Sequence, residues 1–125
     1  MRTITVTRKR SFASALMPYW VIVSDTPKMK FMEAYFMVGN LCDHDRAGRP
    51  IPRIDTEVLD RIGYRIANGK TMEIPVREGS ISVFVSAVGG SFSNELLLED
   101  IGERNILITT KGGWNSVSYP HIEII

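Results

Sequence analysis

Hydrophobic and polar positions alternate from the start of the chain. Thr3, Thr5 and Thr7 interleave with Ile4 and Val6. A period of two in β-branched residues predicts a half-buried strand. An apolar stretch over 12–23 follows, broken by Pro18. Proline lacks an amide donor and suits an edge, bend or bulge, so the strand is expected in Tyr19-Trp20-Val21-Ile22-Val23, an apolar run covered by its surroundings.

The pattern changes at Ser24-Asp25-Thr26-Pro27. Asp25 or Thr26 is suited to capping a helix and Pro27 to its first turn. Met29, Met32 and Phe36 share one helical stripe, Phe31, Tyr35 and Val38 an adjacent one, and Gly39 is placed to end the helix. A helix is therefore expected over 27–38, buried on more than one side. A polar loop over 40–53 exceeds the usual connection length. The segment 54–66 is ambiguous. Ile54, Val58, Leu59, Ile62 and Ile66 fit a helical period, yet Gly63 lies inside it and Asn68-Gly69 has the chemistry of a tight hairpin turn. The preferred reading is a helical turn over 56–60, a strand over 62–66 and a hairpin into the alternating stretch 71–76.

From there the chain reads as β: Ser80 to Ser86, Glu95 to Glu99, Asn105 to Thr110 and Val117 to Ile125, separated by glycine-bearing turns, with Pro120 marking an edge or bulge. About 7–9 short strands at this spacing predict a mainly β fold, a β-sandwich carrying one helix-bearing insertion over 24–60. The 125 residues suit one domain over 1–125.

The stretch from Arg65 to Val85 contains strand, Asn-Gly turn, strand, Glu-Gly turn and strand, and Ser93-Asn94 follows it. With the start at Arg10-Ser11-Phe12, it resembles small bacterial β-sandwich proteins similar to PEGA-type domains. The resemblance implies an Ig-like or PEGA-like sandwich and a non-enzymatic role. It assigns no catalytic residue and does not reach the insertion.

Fifteen basic and fourteen acidic residues leave a net charge of +1, which argues against a nucleic-acid partner. A single cysteine excludes an internal disulfide framework. No apolar run reaches the length of a membrane helix, so no membrane partner is expected. The basic triplet Arg8-Lys9-Arg10 follows a strand pattern rather than opening a signal peptide. The expected compartment is the cytoplasm.

Candidate chemistry is sparse. Cys42-Asp43-His44-Asp45 gathers metal-ligating residue types, but adjacent residues rarely face one ion and the usual ligand spacings are missing, so no metal or cofactor is expected. Cys42 with His44 or His121 would make a nucleophile and base, yet no nucleophile signature surrounds the cysteine. No enzyme is predicted. Arg8-Lys9-Arg10 beside Phe12 could meet an anion, although a solvated strand end is the plainer account. Trp20 belongs to the core. Trp114, after Gly112-Gly113, is a candidate ligand-binding aromatic, with Arg46 and Arg49 of the loop as anion contacts.

Two functions remain. The first is a non-catalytic protein-interaction or accessory module, which would form a homodimer through Phe31, Tyr35 and Val38 if the loop leaves that stripe uncovered. The second is a small-ligand or carbohydrate-binding domain built on Trp114.

Overall fold

Every second side chain of β1 (Arg2–Arg8), from Arg2 through Ile4 and Val6 to Arg8, is buried, so the alternation at the start of the chain is that of a strand with one covered face. The computed structural model describes residues 2–12, 16–35, 43–44, 46–48, 50–51, 56–87, 92–99, 104–111 and 119–125. β1 lies between β6 (Thr71–Val76), antiparallel, and β9 (Arg104–Lys111), parallel. β10 (Tyr119–Ile124) completes this sheet against β9. A second antiparallel sheet runs β5 (Gly63–Ile66), β2 (Tyr19–Ser24), β7 (Ile81–Ala87) and β8 (Leu96–Leu98).

The two four-stranded sheets form the expected β-sandwich. Ile4, Val6, Ile74, Ile106 and Ile108 of the first sheet belong to one buried cluster with Tyr19, Val21, Val83, Val85 and Leu98 of the second. Each fully buried side chain of this size contributes roughly 1.5–3 kcal/mol over an exposed one.

The edges are blunted. β6 and β10, the outer strands of the first sheet, carry Pro75 and Pro120, which remove donors where no further strand pairs. The outer strands of the second sheet are only four and three residues long. Asn94 also closes the β10 edge. Its side-chain amide donates to the Ile122 carbonyl and its oxygen accepts from the Ile122 N–H, both at 2.9 Å. The neighbouring Ser93 hydroxyl accepts from the Val85 N–H at 2.7 Å. The Ser-Asn pair thus ties the two sheets together.

The insertion joins β2 to β5, which are antiparallel neighbours. It contains α1 (Lys28–Tyr35), a ribbon of β3 (Asp43–His44) and β4 (Pro50–Ile51), and α2 (Thr56–Ile62). Trp20, Ile22 and Phe84, on the outer face of the second sheet, form a second core with Phe31 of α1 and Leu59 of α2. Phe31 and Phe84 meet edge to face with centroids 5.5 Å apart. The Trp20 indole donates to Asp60 at 2.8 Å. Coverage on both faces is why Tyr19 to Val23 of β2 reads as an unbroken apolar run and why every residue of β7, Ser82 and Ser86 included, is buried.

Four expectations need correction. The 68–69 turn is tight, with the Lys70 N–H donating to the Ala67 carbonyl at 3.1 Å, but β5 and β6 belong to different sheets, so it arches between sheets rather than closing a hairpin. Only Gly69 has positive φ, +75°, as in a type II turn, where a tight hairpin would need it at Asn68 as well. The helical turn expected over 56–60 extends to Ile62, and the strand then starts at Gly63. A Cβ on Gly63 would stand 3.2 Å from the Leu59 carbonyl, the Trp20 Cβ and the Val21 carbonyl, so glycine lets α2 pass directly into β5. The loop over 40–53 is not irregular throughout, since it contains the β3–β4 ribbon.

The fourth correction concerns α1. Neither Asp25 nor Thr26 caps it. The Lys28 N–H donates to Glu95 from the β7–β8 connection at 2.6 Å, and Asp25 pairs with Arg77 instead. Phe31, assigned to a self-association stripe with Tyr35 and Val38, is buried against the sheet, whereas Met29 of the adjacent stripe is 64% exposed. Val38 and the Tyr35 side chain lie outside the described residues. The expected interface of Phe31, Tyr35 and Val38 thereby loses Phe31, one of its three residues.

Candidate functional site

β1 and β9 are parallel neighbours and both end at the same end of the sandwich, where the antiparallel β6 begins. Pairing thus delivers three chain segments to one place: Arg8-Lys9-Arg10, Thr109-Thr110-Lys111 and Asn68-Gly69-Lys70. Backbone bonds fix the junctions. The Arg8 N–H donates to the Lys70 carbonyl at 2.8 Å and the Lys9 N–H to the Ile108 carbonyl at 2.9 Å. The Ser11 N–H donates to Asn68 Oδ1 at 3.0 Å. A concave surface is lined by Lys9, Arg10, Ser11, Thr109, Thr110 and Lys111.

Arg8 has the same parity as Ile4 and Val6, so its side chain turns into the sandwich and is buried. Its guanidinium donates to the Ile66 carbonyl at 2.9 Å and the Met17 carbonyl at 2.8 Å, and lies 3.8 Å from the centre of the Tyr19 ring. Burial lowers its pKa from the ordinary arginine value, and the Tyr19 interaction partly opposes this. The group stays charged, because arginine does not deprotonate in proteins. Beside it opens a cleft of about 360 Å³ lined by Arg8, Leu16, Met17, Pro18, Arg65, Ile66, Ala67 and Asn68.

The charges are segregated. Arg8, Lys9, Arg10, Arg65, Lys70 and Lys111 stand at or near this end. Among the described residues that strand pairing brings to it, 8–12, 16–20, 65–72, 86–87, 92–93, 107–111 and 119–122, none is acidic. At the opposite end, cations and acids are interleaved. Arg77 pairs with Asp25, Arg2 is held by the Glu99 and Gly79 carbonyls, and Ser80 donates to Glu99 at 3.2 Å. Lys28 lies about 6 Å from the Phe84 and Phe92 ring centres. Its amine donates to the Ser93 carbonyl, and burial lowers its pKa, only partly opposed by Glu95. Among the described residues a near-neutral chain thus presents a positive end, which attracts anions locally whatever the total charge.

Of the sequence-derived ligand residues the structure describes only Arg46. Arg46 is exposed in the turn between β3 and β4, while Trp114 and Arg49 lie outside the described residues, as do Cys42 and Asp45. His121 sits opposite Thr109 on the β9–β10 ladder. Among the described residues no group of three or more His, Cys, Asp or Glu side chains could hold a metal ion, and no helix is long and apolar enough to cross a membrane. Sequence reasoning noted Arg8-Lys9-Arg10 but missed its company. The absence of any acid before Asp25 was the available signal; the pairing of β1 with β9 was not available. No protein-family model, curated protein or solved structure matches the chain.

Proposed function

We propose that this protein is a non-catalytic binding module whose contact surface is the positive end of the sandwich and whose partner is anionic. One observation carries this reading: six cations gather at or near one end, with no acid among the described residues of the segments that meet there, in a chain of net charge +1. Lys9, Arg10 and Lys111 present exposed charges, and Ser11 adds a neutral hydroxyl among them, while the Thr110 hydroxyl is taken by Tyr19 at 2.9 Å. Such a surface holds phosphate, sulfate or carboxylate groups by charge-assisted hydrogen bonds.

The test is binding to inorganic polyphosphate, measured by calorimetry across a salt series. Binding that weakens steeply with salt is expected. Lys9→Glu/Lys111→Glu should weaken it at least tenfold. Lys30→Glu/Arg61→Glu, which makes the same charge change on the two helices, should leave most of it. Equal loss in both variants would reduce the effect to total charge and overturn the proposal.

A second reading rests on the cleft beside Arg8, whose volume of about 360 Å³ falls in the range of small-ligand sites. It takes a small anion between Arg65 and Asn68. Arg65→Glu would then abolish binding of citrate while weakening that of polyphosphate far less than Lys9→Glu/Lys111→Glu does.

A further inference from the structure

The positive end carries two side chains that the anion-binding reading leaves unused. Phe12 is 103% exposed and Leu16 is 99% exposed, the largest values among the exposed large hydrophobic residues described. Both belong to the β1–β2 connection. That connection holds no charged residue between Arg10 and the start of β2 at Tyr19, and reads Ser-Phe-Ala-Ser-Ala-Leu-Met-Pro. Phe12 borders a hollow shared with Arg10, Ser11 and Asn68, and Leu16 borders the cleft shared with Arg8 and Arg65. Each bare apolar group therefore stands beside cations.

We propose that this end docks on an anionic lipid bilayer, with Phe12 and Leu16 entering the boundary between headgroups and acyl chains while Lys9, Arg10, Lys70 and Lys111 meet lipid phosphates. The inference rests on the reading of this end as an anion-binding surface and names its partner. Charge complementarity supplies the attraction, since each cation near an anionic leaflet strengthens binding roughly fivefold. The apolar pair selects among anionic partners. An aromatic side chain alone would suit stacking on a nucleic-acid base, but Leu16 has no ring to stack, whereas hydrocarbon accepts a phenyl and an isobutyl group equally. Both groups sit on one short loop at full exposure, and two exposed large apolar side chains among basic residues match a shallow insertion better than a spanning one. The expectation that no membrane would be bound rested on the length of apolar runs, which does not register this placement.

The test is flotation of the full chain with vesicles of pure phosphatidylcholine and with vesicles containing 30% phosphatidylserine. Binding is expected only to the anionic vesicles and should weaken with salt. Phe12→Ser/Leu16→Ser should reduce vesicle binding tenfold or more and leave polyphosphate affinity within twofold. Phe12→Trp should show a blue-shifted emission on anionic vesicles. Because both substituted positions are fully exposed, the variants should keep the wild-type unfolding midpoint, which is measured alongside. Polyphosphate binding without vesicle binding would overturn the bilayer inference and leave the anion-binding surface standing. Loss of single-stranded nucleic-acid binding in the Phe12 variant, with vesicles unbound, would give the end to nucleic acid instead. Binding to no anion would overturn both readings.

Discussion

Replacing Asn94 by alanine should destabilise the fold by about 1–3 kcal/mol. The Asn94 amide makes two hydrogen bonds of 2.9 Å to the backbone of Ile122, one in each direction. A neutral hydrogen bond of good geometry contributes about 0.5–1.5 kcal/mol net. Ile122 is buried at 1% exposure, so its backbone groups lose these partners with little water to replace them. Asn94 itself is exposed, which favours the middle of the range over its top. For a chain of this length a loss of 1 kcal/mol lowers the melting temperature by about 4 °C, so the variant should melt about 4–12 °C lower. Urea unfolding followed by Trp20 fluorescence gives the free energy directly. Asn94→Asp provides the sharper control. Its carboxylate still accepts from the Ile122 N–H but faces the Ile122 carbonyl without a proton to donate. The folded-state pKa is therefore raised, so the stability deficit should be largest at neutral pH and shrink as pH falls through the carboxylate range. An Asn94→Ala change within about 0.3 kcal/mol of wild type, or an Asn94→Asp deficit that grows on acidification relative to wild type, would refute the assignment of this side chain as the closure of the β10 edge.

Other outcomes follow from the same contacts. Phe31→Ala should cost about 3 kcal/mol in denaturant unfolding, because it empties the space against Phe84; a variant of wild-type stability that merely changed sedimentation would return Phe31 to an interface. Gly69→Ala should cost about 1 kcal/mol, from a φ of +75°, with the loss read from the unfolding midpoint. Lys28 has its pKa lowered by burial, so at alkaline pH the folded chain releases this proton before the unfolded chain does and stability gains a rising contribution with pH. Lys28→Met should remove that contribution, visible as a steeper alkaline decline than in wild type.

How far the sequence reveals this molecule differs between elements. β1, β6 and β10 are legible because one face of each is wet, and a period of two survives in the residues. The sandwich class is legible from their spacing. The arch at Gly69 is not, because an Asn-Gly pair satisfies a tight turn equally well whether the next strand joins the same sheet or the facing one. The orientation of α1 is not legible either: with only Lys28, Lys30 and Glu33 breaking its surface, both stripes are hydrophobic enough to face the core, and only the rings of Phe84 and Trp20 decide for Phe31. Arg8 reads as part of a solvated triplet until its parity with Ile4 and Val6 is followed one step further. The positive end depends on a parallel pairing between residues about a hundred positions apart, which local patterns do not encode.

The most direct measurement of the central claim is amide chemical-shift mapping of the full chain titrated with inorganic polyphosphate at low salt. Saturable shifts are predicted at residues 9–12, 67–70 and 109–111, with α1, β8 and the Arg77 turn unchanged. Shifts centred on the Arg46 turn, or on Arg2 and Arg77 at the opposite end, would contradict the account.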